Sequence, residues 1–247
     1  MNVSIAQAAA ALNANARWQE TIAENLASSS VPGFKRQELS FGALKAGVMP
    51  APGPNGRALL LPQASQSTNF EAGQPRYTGV KTDVSLDGPG FIAIQLPDGT
   101  TAYSRDGEMQ ISSTGQLVTK EGHPVLGTGG PIQLDLNNVG ELSISASGEV
   151  SQGTDSKGVL RAAEFNDPHL LTPVGQGFFV ANHLGLQSED NTKTTFRQGY
   201  VEAANTSPAA EMAQLIAAMR IYEANQRVLT SHDERLGRVI GELGLSS

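Results

Sequence analysis

Cysteine is absent from the 247 residues, and several other informative features are missing as well. Without cysteine the chain can form neither a disulfide framework nor a thiolate metal site. No apolar stretch approaches the roughly 18 residues that span a bilayer, so we expect no direct membrane insertion. No basic cluster exceeds the pair Lys35-Arg36, and the formal net charge is −7. Nucleic acid is therefore not expected as a partner, because binding to phosphates needs a concentrated basic face.

The N-terminal residues lack the pattern of a cleaved secretory signal. No basic residue precedes Arg17, and the early run is rich in alanine rather than strongly apolar. The sequence therefore predicts a protein made soluble in the cytoplasm. A route out of the cytoplasm without a cleaved signal remains open.

Residue types used in catalysis or metal binding occur without a suitable spacing. The run Ser231-His232-Asp233 contains the residue types of a catalytic triad, but three adjacent helical residues point in different directions and no nucleophile elbow accompanies them. The sequence therefore predicts no enzyme, no metal site and no cofactor. The four histidines are scattered: His123, His169, His183 and His232.

Residues 81–195 have the pattern of an antiparallel β-domain. Asp87-Gly88, Asp98-Gly99 and Asp106-Gly107 predict tight turns, because Asp and Gly tolerate the positive φ angles of hairpins. Calcium binding by these carboxylates is disfavoured, since no twelve-residue loop with alternating oxygen ligands is present. Short alternating runs such as residues 91–96 lie between the turns, and their regular spacing predicts a compact sandwich or barrel.

Both ends of the chain have helical periodicity. A first helix is predicted over residues 3–29, and a second begins near Ser207-Pro208 with serine as N-cap and proline at the first helical position. In the second helix, ten positions follow an alternating three-and-four spacing that places them along one side. They are Met212, Leu215, Met219, Tyr222, Gln226, Leu229, Asp233, Leu236, Ile240 and Leu243. A weaker row in the first helix contains Ile5, Leu12, Ile22 and Leu26.

The C-terminal row has two interpretations. An amphipathic helix usually packs on the core of its own domain. This helix, at 36 residues from Pro208 to Leu243, would be roughly 54 Å long, which exceeds the width of a small β-domain. The excess length and the matching N-terminal helix favour packing between chains. Gln226 and Asp233 are then candidates for setting the register of that packing.

These patterns predict a mainly β fold with α-helical termini. Residues 1–32 and 206–247 are predicted to form a discontinuous coiled-coil-like helical domain, into which the antiparallel β-domain of residues 81–195 is inserted. Residues 33–80 form a connector with extended or β segments, and residues 196–205 form a return connector.

Several motifs resemble those of flagellar rod and hook proteins, in the order found in that family. The first runs from Asn25-Leu26-Ala27 to Val31-Pro32-Gly33-Phe34-Lys35-Arg36, and the second is the stretch 82–91. Tyr103-Ser104-Arg105-Asp106-Gly107 follows in the middle, and Gln198-Gly199-Tyr200-Val201-Glu202 and Tyr222-Glu223-Ala224-Asn225-Gln226 lie near the C-terminus. Ser28, Val31, Val201 and Ala204 depart from the family pattern.

The resemblance implies a structural subunit of the axial rod, exported by the flagellar type III apparatus without signal cleavage and located in the periplasmic part of the basal body. It implies helical assembly with copies of itself and with other rod and hook proteins, in which the terminal helices line the tube. Among rod proteins, the length and the ending 224–229 most resemble the proximal type, and the distal type is close behind. The helix-exit residues Asn25, Leu26, Gly33 and Phe34 join the two helical rows as the predicted assembly interface, although turn geometry alone is a simpler reason for Asn25 and Gly33.

A second hypothesis is a secreted β-sandwich binding module, such as an adhesin with coiled-coil oligomerising ends. It requires an exposed ligand face, whereas aromatic residues make up only 5% of the chain and show no cluster in the sequence. The sequence therefore favours the axial protein.

Overall fold

A computed structural model describes residues 3–49, 57–190 and 193–244 of the chain. Within these ranges only the backbone is described for residues 3–8, 43–49, 57–63, 190, 232–233 and 236–244. Strands account for 37% of the chain, and one helix lies near each end. The predicted mainly β fold with α-helical termini is confirmed at this level.

Two compact units make up the fold. The first, here called the helix–hairpin unit, contains Met1–Ala27, Gln37–Asn69 and Ser207–Ser247. The second, here called the β unit, contains Ser28–Arg36 and Phe70–Thr206. Each unit therefore draws on segments that are distant in sequence.

Two helices, α1 (Val3–Ala27) and α2 (Pro208–Gly244), belong to the helix–hairpin unit. α1 ends just before a run of serines followed by Pro32 and Gly33, residues that oppose helix continuation. α2 begins at Pro208 as predicted, where the missing N–H of proline has no helical partner to lose. The N–H of Glu211 donates to the carbonyl of Ser207 over 2.9 Å, closing the first turn.

A long hairpin completes the helix–hairpin unit. Strand β1 (Gln37–Met49) pairs antiparallel with β2 (Arg57–Thr68), in a register that opposes Gln37 to Thr68 and Phe41 to Ala64. A bulge lies between Lys45 and Gly47. The hairpin occupies the segment for which the sequence predicts extended or β structure within a connector. The proline-rich residues 50–56 lie outside the described part of the chain.

The β unit contains seventeen short strands within the described residues, all in antiparallel pairs where pairing is assigned. A six-stranded sheet has the order β15-β16-β6-β5-β14-β17, and a three-stranded sheet has the order β11-β12-β13. The remaining strands pair as β3 with β19, β4 with β18, β7 with β8, and β9 with β10. The strands are β3 Pro75–Tyr77, β4 Val84–Asp87, β5 Phe91–Gln95, β6 Thr101–Ser104, β7 Met109–Ile111, β8 Leu117–Thr119, β9 Leu126–Gly127, β10 Gly130–Pro131, β11 Leu142–Ile144, β12 Glu149–Gln152, β13 Asp155–Val159, β14 Ala162–Phe165, β15 Thr172–Gly175, β16 Phe178–Val180, β17 Ser188–Asp190, β18 Thr195–Gln198 and β19 Tyr200–Glu202.

The central strands of the six-stranded sheet are buried on both faces. Alternate residues of β5 point to opposite sides, so Ile92 and Ile94 join one apolar cluster while Phe91 and Ala93 join another. The first cluster extends through Leu117, Val125 and Val150 and forms the main core. The second is rich in aromatic rings, with Phe70 and Phe179 packed against Phe91.

The prediction that Asp106-Gly107 forms a hairpin turn with a positive φ at glycine is wrong. Asp98-Gly99 joins the paired strands β5 and β6, and Gly99 has the positive φ of 84° that the pattern predicts. Gly107 instead lies between β6 and β7, which are not paired, and its φ is not positive. It is needed because its backbone lies against the carbonyl of Val84, where a Cβ atom would overlap.

Neither of the described helices is both long enough and apolar enough to cross a membrane.

Candidate assembly interface

The two terminal helices contact each other through two polar side chains of α1, Asn15 and Gln19, next to buried apolar residues. When its oxygen and nitrogen are assigned from the hydrogen-bond network, the Asn15 amide donates to the carbonyl of Ala218 over 3.2 Å and accepts from the N–H of Tyr222 over 2.9 Å. Gln19 Nε2 donates to the same Ala218 carbonyl over 3.4 Å. Ala218 and Ile22 are fully buried. The order of these contacts is that of antiparallel helices.

The buried side of α2 is rotated from the predicted row. Along the described side chains it follows the same three-and-four spacing but starts one residue earlier. Leu215, Tyr222 and Leu229 of the predicted row are half-buried, whereas Met212, Met219 and Gln226 are exposed. The side that is buried within the chain contains Glu211, Leu215, Ala218, Tyr222, Asn225 and Leu229.

A second apolar row on α2 is left exposed in the single chain. The side chains of Met212, Ile216 and Met219 are 54%, 55% and 51% exposed. At about 100° per residue they lie together on a side of the helix adjacent to the buried one. Exposed apolar side chains grouped on one helix side commonly mark a protein interface.

Five members of the predicted interface lie outside the described side chains. They are Ile5, Asp233, Leu236, Ile240 and Leu243. Their backbones are part of α1 and α2. Both helices therefore extend beyond the residues that form the contacts between them. In α1, Leu12 and Leu26 are half-buried.

Asn25 joins the end of α1 to the hairpin. Its Nδ2 donates to the carbonyl of Gln37 over 2.8 Å, and its Oδ1 accepts from the N–H of the same residue over 2.8 Å. Both residues are buried, and Gln37 Oε1 accepts a further bond from the hydroxyl of Thr68. The Asn25 side chain therefore satisfies both the N–H and the carbonyl of Gln37, the first residue of β1. Trp18 of α1 also packs edge-on against Phe41 of the same strand.

Three of the sequence motifs meet in the β unit. Gly33 donates its N–H to the carbonyl of Glu202 over 2.7 Å, and its own φ is 66°. A Cβ atom at Gly33 would overlap the backbone of Arg105 and Asp106, so glycine is required both for its conformation and for close approach. Phe34 is buried beside it, and its carbonyl accepts from the N–H of Asn205.

A buried ionic cluster holds these motifs together. Lys35 Nζ lies 2.6 Å from Glu202 Oε1, and Arg105 Nη1 lies 3.3 Å from Glu202 Oε2. All three side chains are almost completely buried. Burial lowers the pKa of Lys35 and of Arg105, and the adjacent Glu202 carboxylate opposes that shift in both. The carboxylate therefore keeps two buried cations compatible with the fold.

Backbone groups supply further hydrogen bonds to the ionic cluster, although the buried Arg105 Nε has no hydrogen-bond partner among the described residues. Lys35 Nζ also donates to the carbonyl of Glu71 over 2.8 Å, and Glu202 Oε1 accepts from the N–H of Gly73 over 2.8 Å. Arg105 Nη2 donates to the carbonyl of Gly88 over 2.6 Å, and the guanidinium carbon lies 5.0 Å from the centre of the Phe91 ring. A buried charge is tolerated only with such partners.

Asp106 lies beside this cluster with a strongly shifted pKa. Burial is the main cause that raises the pKa of its carboxyl to about 7, and the neighbouring Glu108 and Glu121 act in the same direction. A hydrogen bond from the N–H of Glu108 to Asp106 Oδ1, 2.8 Å long, acts in the opposite direction. Asp106 is therefore close to half-protonated at neutral pH.

The sequence does not predict the ionic cluster, although each of its members lies in one of the motifs that resemble the rod family. The feature that could have revealed it is the presence of Lys35, Arg105 and Glu202 inside short motifs rich in glycine and apolar residues. The two cations and the one anion belong to separate motifs. Single charged residues among glycine and apolar residues indicate a buried ion pair rather than a solvated face. Among the described residues, no group of three potential metal ligands lies close together.

Two protein-family profiles match parts of the chain. Residues 85–152 match the profile described as the flagellar hook protein FlgE/F/G D1 domain. Residues 197–242 match the profile described as the flagellar basal body rod FlgEFG protein C-terminal region. The first match covers much of the β unit, and the second begins in β18 and covers most of α2.

Curated relatives align over nearly the whole chain. The flagellar basal-body rod protein FlgF of Salmonella typhimurium is 30% identical over 268 residues, covering 100% of both chains. The flagellar basal-body rod protein FlgG of Borreliella burgdorferi is 32% identical, covering 93% of this chain and 94% of the relative. The protein of the same name from Buchnera aphidicola is 30% identical, covering 88% and 91% respectively.

Proposed function

The chain belongs to the flagellar basal-body rod protein family, and we propose that it polymerises through its terminal helices into the axial shaft of the flagellum. Membership of this family supports a structural role in the basal body over the alternative of a secreted binding module. Copies of the chain and other axial proteins of the rod and hook are the proposed partners. Export by the flagellar type III apparatus is part of the same proposal and rests on the family resemblance.

The exposed apolar row on α2 is the observation that best supports assembly through the helices. One side of α2 is already used within the chain, where Ala218 and Tyr222 contact α1. The row Met212, Ile216 and Met219 is half exposed and contacts water in the single chain. Removing such a row from water would contribute on the order of 1 kcal/mol for each half-exposed side chain. Repetition along a polymer would therefore favour association.

The proximal rod type is the proposed subtype. The alignment to FlgF of Salmonella typhimurium covers both chains completely, whereas the alignments to the two FlgG relatives leave part of each chain uncovered. Identity does not separate the two, since all three relatives lie between 30% and 32%. Coverage, together with the ending 224–229, supports the proximal type.

The assembly proposal is tested by placing a charge in the exposed row. Met212→Asp combined with Met219→Asp should remove the protein from isolated basal bodies and abolish swimming in a strain that carries only this copy of the gene. Ala210→Asp combined with Ala217→Asp is the matched control, because it adds the same two charges, seven residues apart, to exposed positions on another side of α2. Immunoblots of whole cells and of purified basal bodies measure synthesis and incorporation separately.

Incorporation of the double variant at the wild-type level would contradict a role for this row. Absence of the unaltered chain from basal bodies would contradict the rod function itself. Circular dichroism of the purified variants checks that the helices and strands are unchanged, which we expect because both methionines are exposed.

A further inference from the structure

A groove runs along α1 on the side next to β2. Its wider part, of about 630 Å³, is lined by Ala10, Asn13, Ala14 and Ala64 among others. A narrower part of about 250 Å³ continues past Thr21 to Leu39. Arg17 and Glu20 border both parts. The alanine side chains on the floor of the groove are small, so another helix can approach closely.

The groove lies away from the side of α1 that contacts α2. Asn15 and Gln19 make the contacts to α2, whereas Arg17, Glu20 and Glu24 are exposed along the groove. Steps of about 100° per residue place these two sets on different sides of the helix. α1 can therefore pack against its own α2 and against a second helix at the same time.

The exposed charges of the groove and of α2 are complementary in spacing. The groove border has Arg17 followed three residues later by Glu20. Beside the exposed methionine row, α2 has Arg220 followed three residues later by Glu223. In an antiparallel alignment Arg17 meets Glu223 and Glu20 meets Arg220, since both separations are about 4.5 Å along the axis.

These four side chains are available for such pairing. None of the ion pairs formed among the described residues involves Arg17, Glu20, Arg220 or Glu223. The same alignment sets Met219 opposite Thr21, beside Leu39 and Ala64 in the narrower part of the groove. In this register Met219 is the member of the exposed apolar row that enters the groove, and Ile216 lies level with Glu24.

We propose that α2 of a second copy of this chain lies antiparallel in the groove between α1 and β2, with Arg17 paired to Glu223 and Glu20 paired to Arg220. This inference rests on the proposed rod function and names the surfaces that would join neighbouring subunits. Each copy supplies one groove and one exposed α2 row, so the contact is head-to-tail. A head-to-tail contact that does not close into a ring generates an open helical polymer.

A second copy is favoured as the occupant because both halves of the contact are present in every chain. The groove border Arg17, Glu20 and Glu24 carries a net negative charge, and the α2 side with Arg220, Glu223 and Arg227 carries a net positive one. Charge complementarity of this kind fixes register and orientation more than it raises affinity. It therefore makes register the property to test.

Cysteine cross-linking provides the first test, because the chain contains no cysteine of its own. The variant Glu20→Cys with Arg220→Cys is expressed as the only copy, and isolated basal bodies are oxidised and separated on a non-reducing gel. We expect dimers and higher species, because each chain can link to one neighbour on each side. The single variants Glu20→Cys and Arg220→Cys are the matched controls and should stay monomeric.

The outcomes distinguish this contact from the proposed function. The double-cysteine chain present in basal bodies but running as a monomer would overturn the inference and leave the rod function intact. A product that stops at dimer also contradicts it, since that indicates a symmetric contact. Cross-links to a different axial protein would identify another occupant of the groove and likewise overturn it. If the unaltered chain is absent from basal bodies, the rod function fails instead.

Charge exchange gives an independent test of the register. Arg17→Glu and Glu223→Arg alone should each reduce incorporation at least about threefold, because each brings like charges together. The combination restores opposite charges and should recover most of the loss. Recovery by the double variant cannot arise from misfolding of the single variants. Additive loss in the double variant would contradict the Arg17–Glu223 pair.

Discussion

At the scale of single residues, Glu202 is the anion on which two buried cations depend. It contacts Lys35 and Arg105 and also accepts from the N–H of Gly73. A buried ion pair often contributes little relative to an apolar replacement of all its members, whereas removal of one member leaves an uncompensated charge. The cluster therefore fixes which segments meet more than it adds to the stability of the fold.

Glu202→Gln should lower the free energy of unfolding by roughly 3–5 kcal/mol, because Lys35 and Arg105 would remain buried without their carboxylate. Urea denaturation of the full chain, followed by circular dichroism, measures the change. Glu141→Gln is the control, since Glu141 forms an exposed ion pair with Lys81 and its loss should have no measurable effect. Equal behaviour of the two variants would show that the buried carboxylate is not needed to compensate the cations.

Asp106 should make stability depend on pH near neutrality. Its folded pKa of about 7 lies above the ordinary value of 3.8. The folded chain therefore retains a proton that the unfolded chain releases. This contribution is fully present below the unfolded value and is lost as the pH rises through about 7.

Asp106→Asn should remove that loss, because the amide stays neutral and its oxygen can still accept from the N–H of Glu108. As the pH rises from about 5 to about 8.5, the unaltered protein should lose on the order of 3 kcal/mol of unfolding free energy that the variant does not lose. Denaturation curves at the two pH values give this difference. Parallel pH dependence in the two proteins would place the titrating group elsewhere.

At the scale of the elements, α2 has apolar residues on more than one side. Sequence spacing selected the row through Met212, Leu215, Met219 and Tyr222, but the side buried in the chain is shifted toward Glu211 and Ala218. The rows overlap at Leu215, Tyr222 and Leu229, and periodicity alone cannot decide between neighbouring rows. The shift is set by α1, whose Asn15 and Gln19 contact the backbone at Ala218.

Gln226 lies at the border between the buried and exposed sides and is exposed in the single chain. Gln226→Leu should leave the helical content unchanged but loosen the register of assembly, because an apolar side chain accepts several alignments where an amide favours one. Circular dichroism measures the helix, and electron microscopy of purified basal bodies measures the geometry of the rod. Unchanged rod geometry would remove Gln226 from the determinants of register.

At the scale of the whole molecule, the β unit has the features of an independent folding unit. It contains both apolar clusters and the complete ionic cluster. A chain limited to residues 28–206, with residues 37–69 replaced by a short glycine–serine linker, should therefore unfold cooperatively and retain its β signal. It should lose the helical signal and fail to enter basal bodies. Non-cooperative unfolding of this chain would show that the helix–hairpin unit is needed for the fold of the β unit.

Local signals in the sequence determined the elements of this protein. Pro208 and the serine–proline–glycine run after Ala27 mark helix boundaries through backbone geometry and missing donors, which act over only a few residues. Alternation in residues 91–96 identified a strand for the same local reason. The motifs also identified the family, because several of them occur in the same order along one chain.

Only the tertiary structure decided what those residues contact. Gly33 was predicted as an assembly residue or a turn, and its backbone lies against Arg105 and Asp106, about seventy positions away. The meeting of Lys35, Arg105 and Glu202 and the rotation of α2 likewise depend on segments far apart in sequence. Such contacts are selected by the joint packing of the whole chain, so no periodicity or propensity within a short window can specify them.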